Sequence, residues 1–82
     1  MYMKYIRIKR LGDLEDAIII FPMEIDHTVM CQYGEIISAG YTRYDEHTHK
    51  FNCFGMSGSL QIQSEVEVDS EIMNLQYSDR EM

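Results

Sequence analysis

Apolar residues in this chain alternate first, then run together, and later fall into a looser helical spacing. From Tyr2 to Arg10, Ile6 and Ile8 share one side while Arg7 and Lys9 share the other, which predicts a strand. Gly12-Asp13 marks a turn. Ala17 to Phe21 is a continuous β-branched and aromatic run, the pattern of a strand buried on both faces. Pro22 ends it because proline cannot donate to a ladder. These two strands are expected to pair as an antiparallel hairpin.

A short helix should follow. The Asp26 carboxylate can accept from the free amides of a first turn, Ile25 and Met30 flank it as a staple, and Gly34 suits the C-terminal cap. Val29, Met30 and Tyr33 would form its apolar side. Glu35 to Tyr44 and Lys50 to Met56 then read as two strands around a turn at Asp45-Glu46-His47-Thr48. Pairing Tyr44 with His49 sets Gly40 against Cys53, Ser38 against Gly55 and Ile36 against Ser57. That collects small side chains on one face. The opposite face, with Ile37, Ala39, Tyr41, Phe54 and Met56, reads as core. Beyond Leu60 two periods overlap. A short strand is expected near 59–63 and a helix near 69–77, with the tail over 77–82 fraying. The fold class is therefore α+β: a small antiparallel sheet of four to five strands with two short helices, in the order ββαββ(β)α.

Length changes this picture little. Eighty-two residues make a single compact domain, 1–82, with a modest core. Cys31 and Cys53 are too few for a disulfide framework and sit in apolar patterns, so both are expected to be buried thiols. The N-terminus has no apolar stretch of the signal-peptide kind, and no run is long enough to cross a bilayer. Self-association is the expected extra source of stability, giving a homo-oligomer.

Charge narrows the function classes. The net charge is −7, yet the first ten residues hold four bases and no acid. A negative field disfavours general nucleic-acid binding. The basic first strand, with Arg7 and Lys9, is a candidate local anion site. Glu65, Glu67, Asp69 and Glu71 recur at every second residue. On a strand they would form a ladder with a spacing of about 6.5–7 Å, close enough to phosphate spacing to suggest nucleic-acid mimicry. A solvated edge strand protected by charge is the plainer account.

No motif demands catalysis. Gly55-Met56-Ser57-Gly58-Ser59 lacks the Lys-Ser/Thr of a P-loop and the final glycine of a nucleophile elbow. It can present amides and two hydroxyls to an anion, or let one backbone cross closely over another. His27, at the start of the short helix, can donate to an anion or simply sit beside a cap. His47 and His49 lack further ligands at metal spacing. No catalytic residue, metal or cofactor is expected, and the chain reads as a binding protein rather than an enzyme. Its candidate ligand-binding residues are His27, Ser38, Gly40, Ser57, Ser59, Arg7 and Lys9. The acids Glu65, Glu67, Asp69 and Glu71 are the candidate protein-docking set.

Phe21-Pro22, Ile25-Asp26-His27, Ser38-Ala39-Gly40, Gly55-x-Ser57-x-Ser59-Leu60 and Asp69-Ser70-Glu71-Ile72 together resemble a group of small proteins encoded by bacteriophages and prophages. The resemblance spans roughly residues 18 to 75; the N-terminal strand and 64–68 depart from it. It implies a role against host defence, exerted by stoichiometric binding in the cytoplasm of the bacterial host. The implied partner is either a phosphate-bearing nucleotide signal, sequestered in an oligomer pocket, or a host defence protein that uses nucleic acid. Neither reading involves direct nucleic-acid or membrane binding.

Overall fold

The computed structural model of the protein describes residues 2–9 and 16–77. The turn expected at Gly12-Asp13 and the tail at 78–82 lie outside them. The fold is α+β. Strands β1 (Tyr2–Lys9), β2 (Ala17–Phe21), β3 (Glu35–Asp45) and β4 (Lys50–Phe54) form one antiparallel sheet in the order β2-β1-β3-β4. Two-residue strands β5 (Met56–Ser57) and β6 (Ile62–Gln63) pair separately, where one short strand near 59–63 was expected. Helix α1 (Val66–Tyr77) closes the described chain, and its last residue, placed by sequence in a fraying tail, is anchored by a Tyr77 hydroxyl bond to the Ile18 carbonyl at 2.6 Å.

The sheet is covered on both faces, but unequally. On one face Ile6, Ile8, Phe21, Ala39 and Met30 form a buried cluster beneath a 3₁₀ helix, His27–Tyr33. On the other, Tyr5, Ile18 and Cys53 pack against Met73 of α1. Thus β2 contributes to both cores, as its unbroken apolar run predicted, although it is an edge strand.

The short helix starts where expected: Asp26 accepts from the Thr28 amide at 2.9 Å and its hydroxyl at 3.0 Å. Its winding differs. At three residues per turn, His27 and Met30 align on the inner side and Val29 turns to solvent, while Tyr33, in line with them but at the last position of the helix, is also exposed. Of the expected apolar side, Met30 is buried in the core, whereas Val29 and Tyr33 are not. Cys31, on this helix, is exposed rather than buried; Cys53 is buried, and burial pushes its thiol up.

The β3–β4 register is two residues from the expected one. Asp45 pairs with Lys50, Tyr44 with Phe51, Thr42 with Cys53 and Tyr41 with Phe54. A four-residue turn sets this. The Asp45 side chain accepts from the His47 amide at 2.8 Å, its carbonyl accepts from the His49 amide at 2.7 Å, and His49 takes φ 58°. A two-residue slip preserves which face each side chain occupies and changes only its partners.

Helix α1 also latches both edges of the sheet. Asn74 accepts from the Phe51 amide at 2.7 Å and donates to the Phe51 carbonyl at 3.1 Å, and Ser70 accepts from the Cys53 amide at 2.9 Å. On the far edge, Gln76 accepts from the Ile18 amide at 3.1 Å and donates to its carbonyl at 2.9 Å. Side-chain amides thus imitate a neighbouring strand and blunt edges that would otherwise template aggregation. Asn74→Ala is expected to cost about 1–3 kcal/mol through two lost bonds on a partly buried strand. The double variant Asn74→Ala/Gln76→Ala should in addition self-associate by light scattering. A double variant as monodisperse as the parent would refute the edge-protection role.

Candidate functional site

Asp69 is the best-satisfied buried ionisable group among the described residues. It is 0% exposed. One carboxylate oxygen accepts from Arg7 Nη1 at 2.9 Å and from the Ser38 hydroxyl at 2.8 Å. The other accepts from the Tyr5 hydroxyl and, at 2.9 Å, from the Glu65 amide at the helix start. Arg7 is also held by Asp16 and Glu65, each at 2.9 Å. Burial opposes the Arg7 charge, but the Asp69, Glu65 and Asp16 carboxylates outweigh it and raise its proton affinity. Burial, reinforced by Asp69, pushes the Tyr5 phenol well above its ordinary value. The cluster is a closed polar network at the N-terminal turn of α1, where the helix dipole favours a carboxylate. Its donors and acceptors are already paired with each other.

This network revises both sets of sequence candidates. The strand-spaced acid ladder does not form: Glu67, Asp69 and Glu71 lie on α1, Asp69 is buried, and Glu65 is tied to Arg7. Of the four acids, Glu67 and Glu71 remain exposed with no ion pair among the described residues. The face expected to gather small side chains for a ligand is filled. Ser38 is buried under Asp69. Gly40 is crossed by backbone: a Cβ there would stand 2.5 Å from the Phe54 carbonyl oxygen and 3.2 Å from Ser64 Cβ. Ser57 is buried too, its hydroxyl accepting from the Leu60 amide at 3.2 Å. Small side chains here admit a close crossing, made where Gly55 (φ 78°) turns the chain out of β4.

The remaining candidates are divided between the two faces. His27 and Ser59 belong to the 3₁₀-helix side, where Ser59 donates to Asp26 at 2.9 Å. Those donors, the Thr28 amide first, lower the Asp26 carboxyl to about 2. Arg7 belongs to the α1 side, and Lys9 is exposed opposite Glu35. His27 is not a free helix-start donor. It is buried between the rings of Phe21 and Tyr41, at centroid distances of 5.4 and 5.7 Å, and its Nε2 lies 3.0 Å from the Gly40 carbonyl oxygen. The carbonyl requires Nε2–H, which is satisfied by the neutral ring.

Burial lowers the His27 proton affinity, and Lys4 acts in the same direction; the Gly40 carbonyl and Asp26 oppose them. An unfolded histidine takes up its proton near pH 6.5, so below that pH the unfolded state binds more protons. Stability contributed by neutral His27 is therefore complete above about pH 6.5 and declines as pH falls toward the lower folded value. Urea titrations at pH 7.5 and 5.5 should show a loss at the lower pH that shrinks in His27→Gln. An equal loss in both proteins would refute the assignment.

What sequence reasoning took for core is partly an open surface. The 3₁₀ helix covers the Ile8 end of its sheet face and leaves the Tyr2 end bare. There the register forms two rows: Tyr2–Arg43–Asn52 and Lys4–Tyr41–Phe54, all on one side by strand alternation. Tyr2 is 52% and Phe54 39% exposed. The Phe54 ring meets Tyr2 edge-on at 5.5 Å and lies 29° from the Tyr41 plane at 6.0 Å. Arg43 and Asn52 are exposed, and the Lys4 ammonium donates to the Ile25 carbonyl at 2.7 Å. The six positions carry two cations and no anion; Lys50 and Asp45 form the next pair outward. The sequence signal was present as Tyr2-x-Lys4, Tyr41-x-Arg43 and Asn52-x-Phe54, an aromatic–polar period of two.

Among the described residues, no group of three or more His, Cys, Asp or Glu could hold a metal ion. No described helix is long and apolar enough to cross a membrane. The chain matches no family model, no curated protein and no solved structure.

Proposed function

We propose that this chain is a non-enzymatic binding protein of phage type that counters bacterial immunity by sequestering a phosphate-bearing nucleotide signal. The segregation of charge carries this reading. The described cations all lie on strands, while α1 carries only acids. Arg7 is neutralised internally and Lys9 stands opposite Glu35, while Lys4, Arg43 and Lys50 share one sheet face, with Asp45 as the acid at its outer edge, in a chain with net charge −7. An anion is drawn to that face and repelled elsewhere. An open face leaves half of a bound nucleotide in water, so a second copy is expected to cover it, giving the homo-oligomer. Calorimetric titration with a panel of cyclic dinucleotides and cyclic ADP-ribose isomers tests the proposal. Binding to one of them, with a dimer or larger assembly by light scattering, supports it; no heat with any, together with a strict monomer, overturns it.

A second reading rests on α1. Glu67 and Glu71 are exposed beside exposed Val66 and Val68, an acidic and apolar surface suited to a basic groove on a host nucleic-acid-binding complex. Capture of one specific host protein, lost at high salt and in Glu67→Lys/Glu71→Lys, would favour it over signal capture.

A further inference from the structure

We infer that the bare half of the sheet face is a base-stacking platform, with Tyr2, Tyr41 and Phe54 receiving the base of a nucleotide and Arg43 its phosphate. The inference deepens the signal-capture reading and rests on it for the ligand class. Three observations converge. The exposed Tyr2 and Phe54 rings and the half-buried Tyr41 ring, on neighbouring strands, offer π-faces, which stack on any base. The Tyr41 and Phe54 rings stack with centroids 6.0 Å apart and planes inclined by 29°, and Tyr2 meets Phe54 edge-on, so the three rings form one aromatic cluster. Cations stand beside the rings on β1 and β3, while β4 supplies Asn52 and Phe54. Tyr2 pairs with Arg43 and Tyr41 with Lys4, so a charge stands one residue from every stacking position on β1 and β3.

The occupant follows from charge and shape. A purely apolar partner would desolvate Arg43 with only the neighbouring Asp45 to offset its charge, which is costly. An acidic peptide would satisfy the cations but not three rings at sheet spacing. A nucleotide supplies both a planar base and an anion. Lys4 is anchored to the Ile25 carbonyl, so it acts through its field, while Arg43 is exposed and able to form a bidentate contact with phosphate.

The test uses cyclic di-AMP at millimolar concentration as probe and backbone and aromatic NMR shifts as readout, on the full chain. Shifts are expected at Tyr2, Tyr41, Arg43 and Phe54. Affinity should weaken about 10-fold or more in Phe54→Ala, through lost stacking, and should also fall in Arg43→Gln. Because Phe54 and Arg43 are both exposed, the fold of each variant can be checked from its unperturbed shifts around Asp69. No shifts, or shifts centred elsewhere, would overturn the platform. The two proposals can fail separately. Tight calorimetric binding at another locus would leave signal capture standing without the platform. Weak binding confined to the platform, with no tight ligand in the panel, would leave the platform and remove signal capture.

Discussion

Asp69→Ala is expected to destabilise the protein by about 3–5 kcal/mol, because it strips a buried cation of its buried partner. Arg7 is only 12% exposed and cannot fully rehydrate. Removing the carboxylate also leaves the Tyr5 and Ser38 hydroxyls and the Glu65 amide without their acceptor. For a small domain with a total stability of about 5–15 kcal/mol, that is a large share. Glu65→Gln touches the same arginine from a half-exposed position and should cost under about 1 kcal/mol. The contrast follows from burial, since both carboxylates stand 2.9 Å from Arg7. Urea denaturation of the two variants measures it directly. An Asp69→Ala protein within about 1 kcal/mol of the parent would show that the network is dispensable, and equal losses in both variants would refute the role of burial. Replacing the pair together, as Arg7→Met/Asp69→Leu, should recover part of the loss, because no buried charge is then stranded.

Gly40→Ala should be costly where Gly58→Ala is not. A Cβ at Gly40 would lie 2.5 Å from the Phe54 carbonyl, a backbone atom that moves only if β4 moves. Overpacking of this kind costs about 1–3 kcal/mol. Nothing lies within 4 Å of a Cβ at Gly58. Gly55→Ala provides a second contrast: at φ 78° it carries a conformational penalty of about 1–2 kcal/mol, and its Cβ would press on the Tyr41 ring at 3.1 Å rather than on the Phe54 backbone. Gly40→Ala would also displace the backbone that carries the Phe54 ring. It should therefore perturb the Tyr2 and Tyr41 ring resonances, which Gly58→Ala should leave alone. Equal thermal midpoints for Gly40→Ala and Gly58→Ala would contradict the close crossing.

These two residues also show where sequence reasoning worked. The string Ser38-Ala39-Gly40 pointed to a place where something comes close, and the structure places there the Asp69 carboxylate and the Phe54–Gly55 backbone. The string did not reveal what came close. Beside the local Glu65 amide, the Asp69 partners lie 31, 62 and 64 residues away in the chain, and no local pattern encodes contacts of that range. Among the acids at alternating positions, Asp69 is distinguished only by the helical turn that points it inward.

Local physics was sufficient for the pairing of β1 with β2, the Asp26 cap and the apolar run that serves both cores. In each, alternation, side-chain chemistry or β-branching acts within a few residues. Tertiary packing decided the rest. Winding the short helix at three residues per turn buried His27 and exposed Val29. A four-residue turn moved β3 against β4 by two positions and brought Phe54 beside Tyr41. Because the 3₁₀ helix covers only one half of its sheet face, residues that pattern alone assigns to the core stand on an open surface. Hydrophobic periodicity reports which face a side chain takes; whether that face is covered depends on elements distant in the chain.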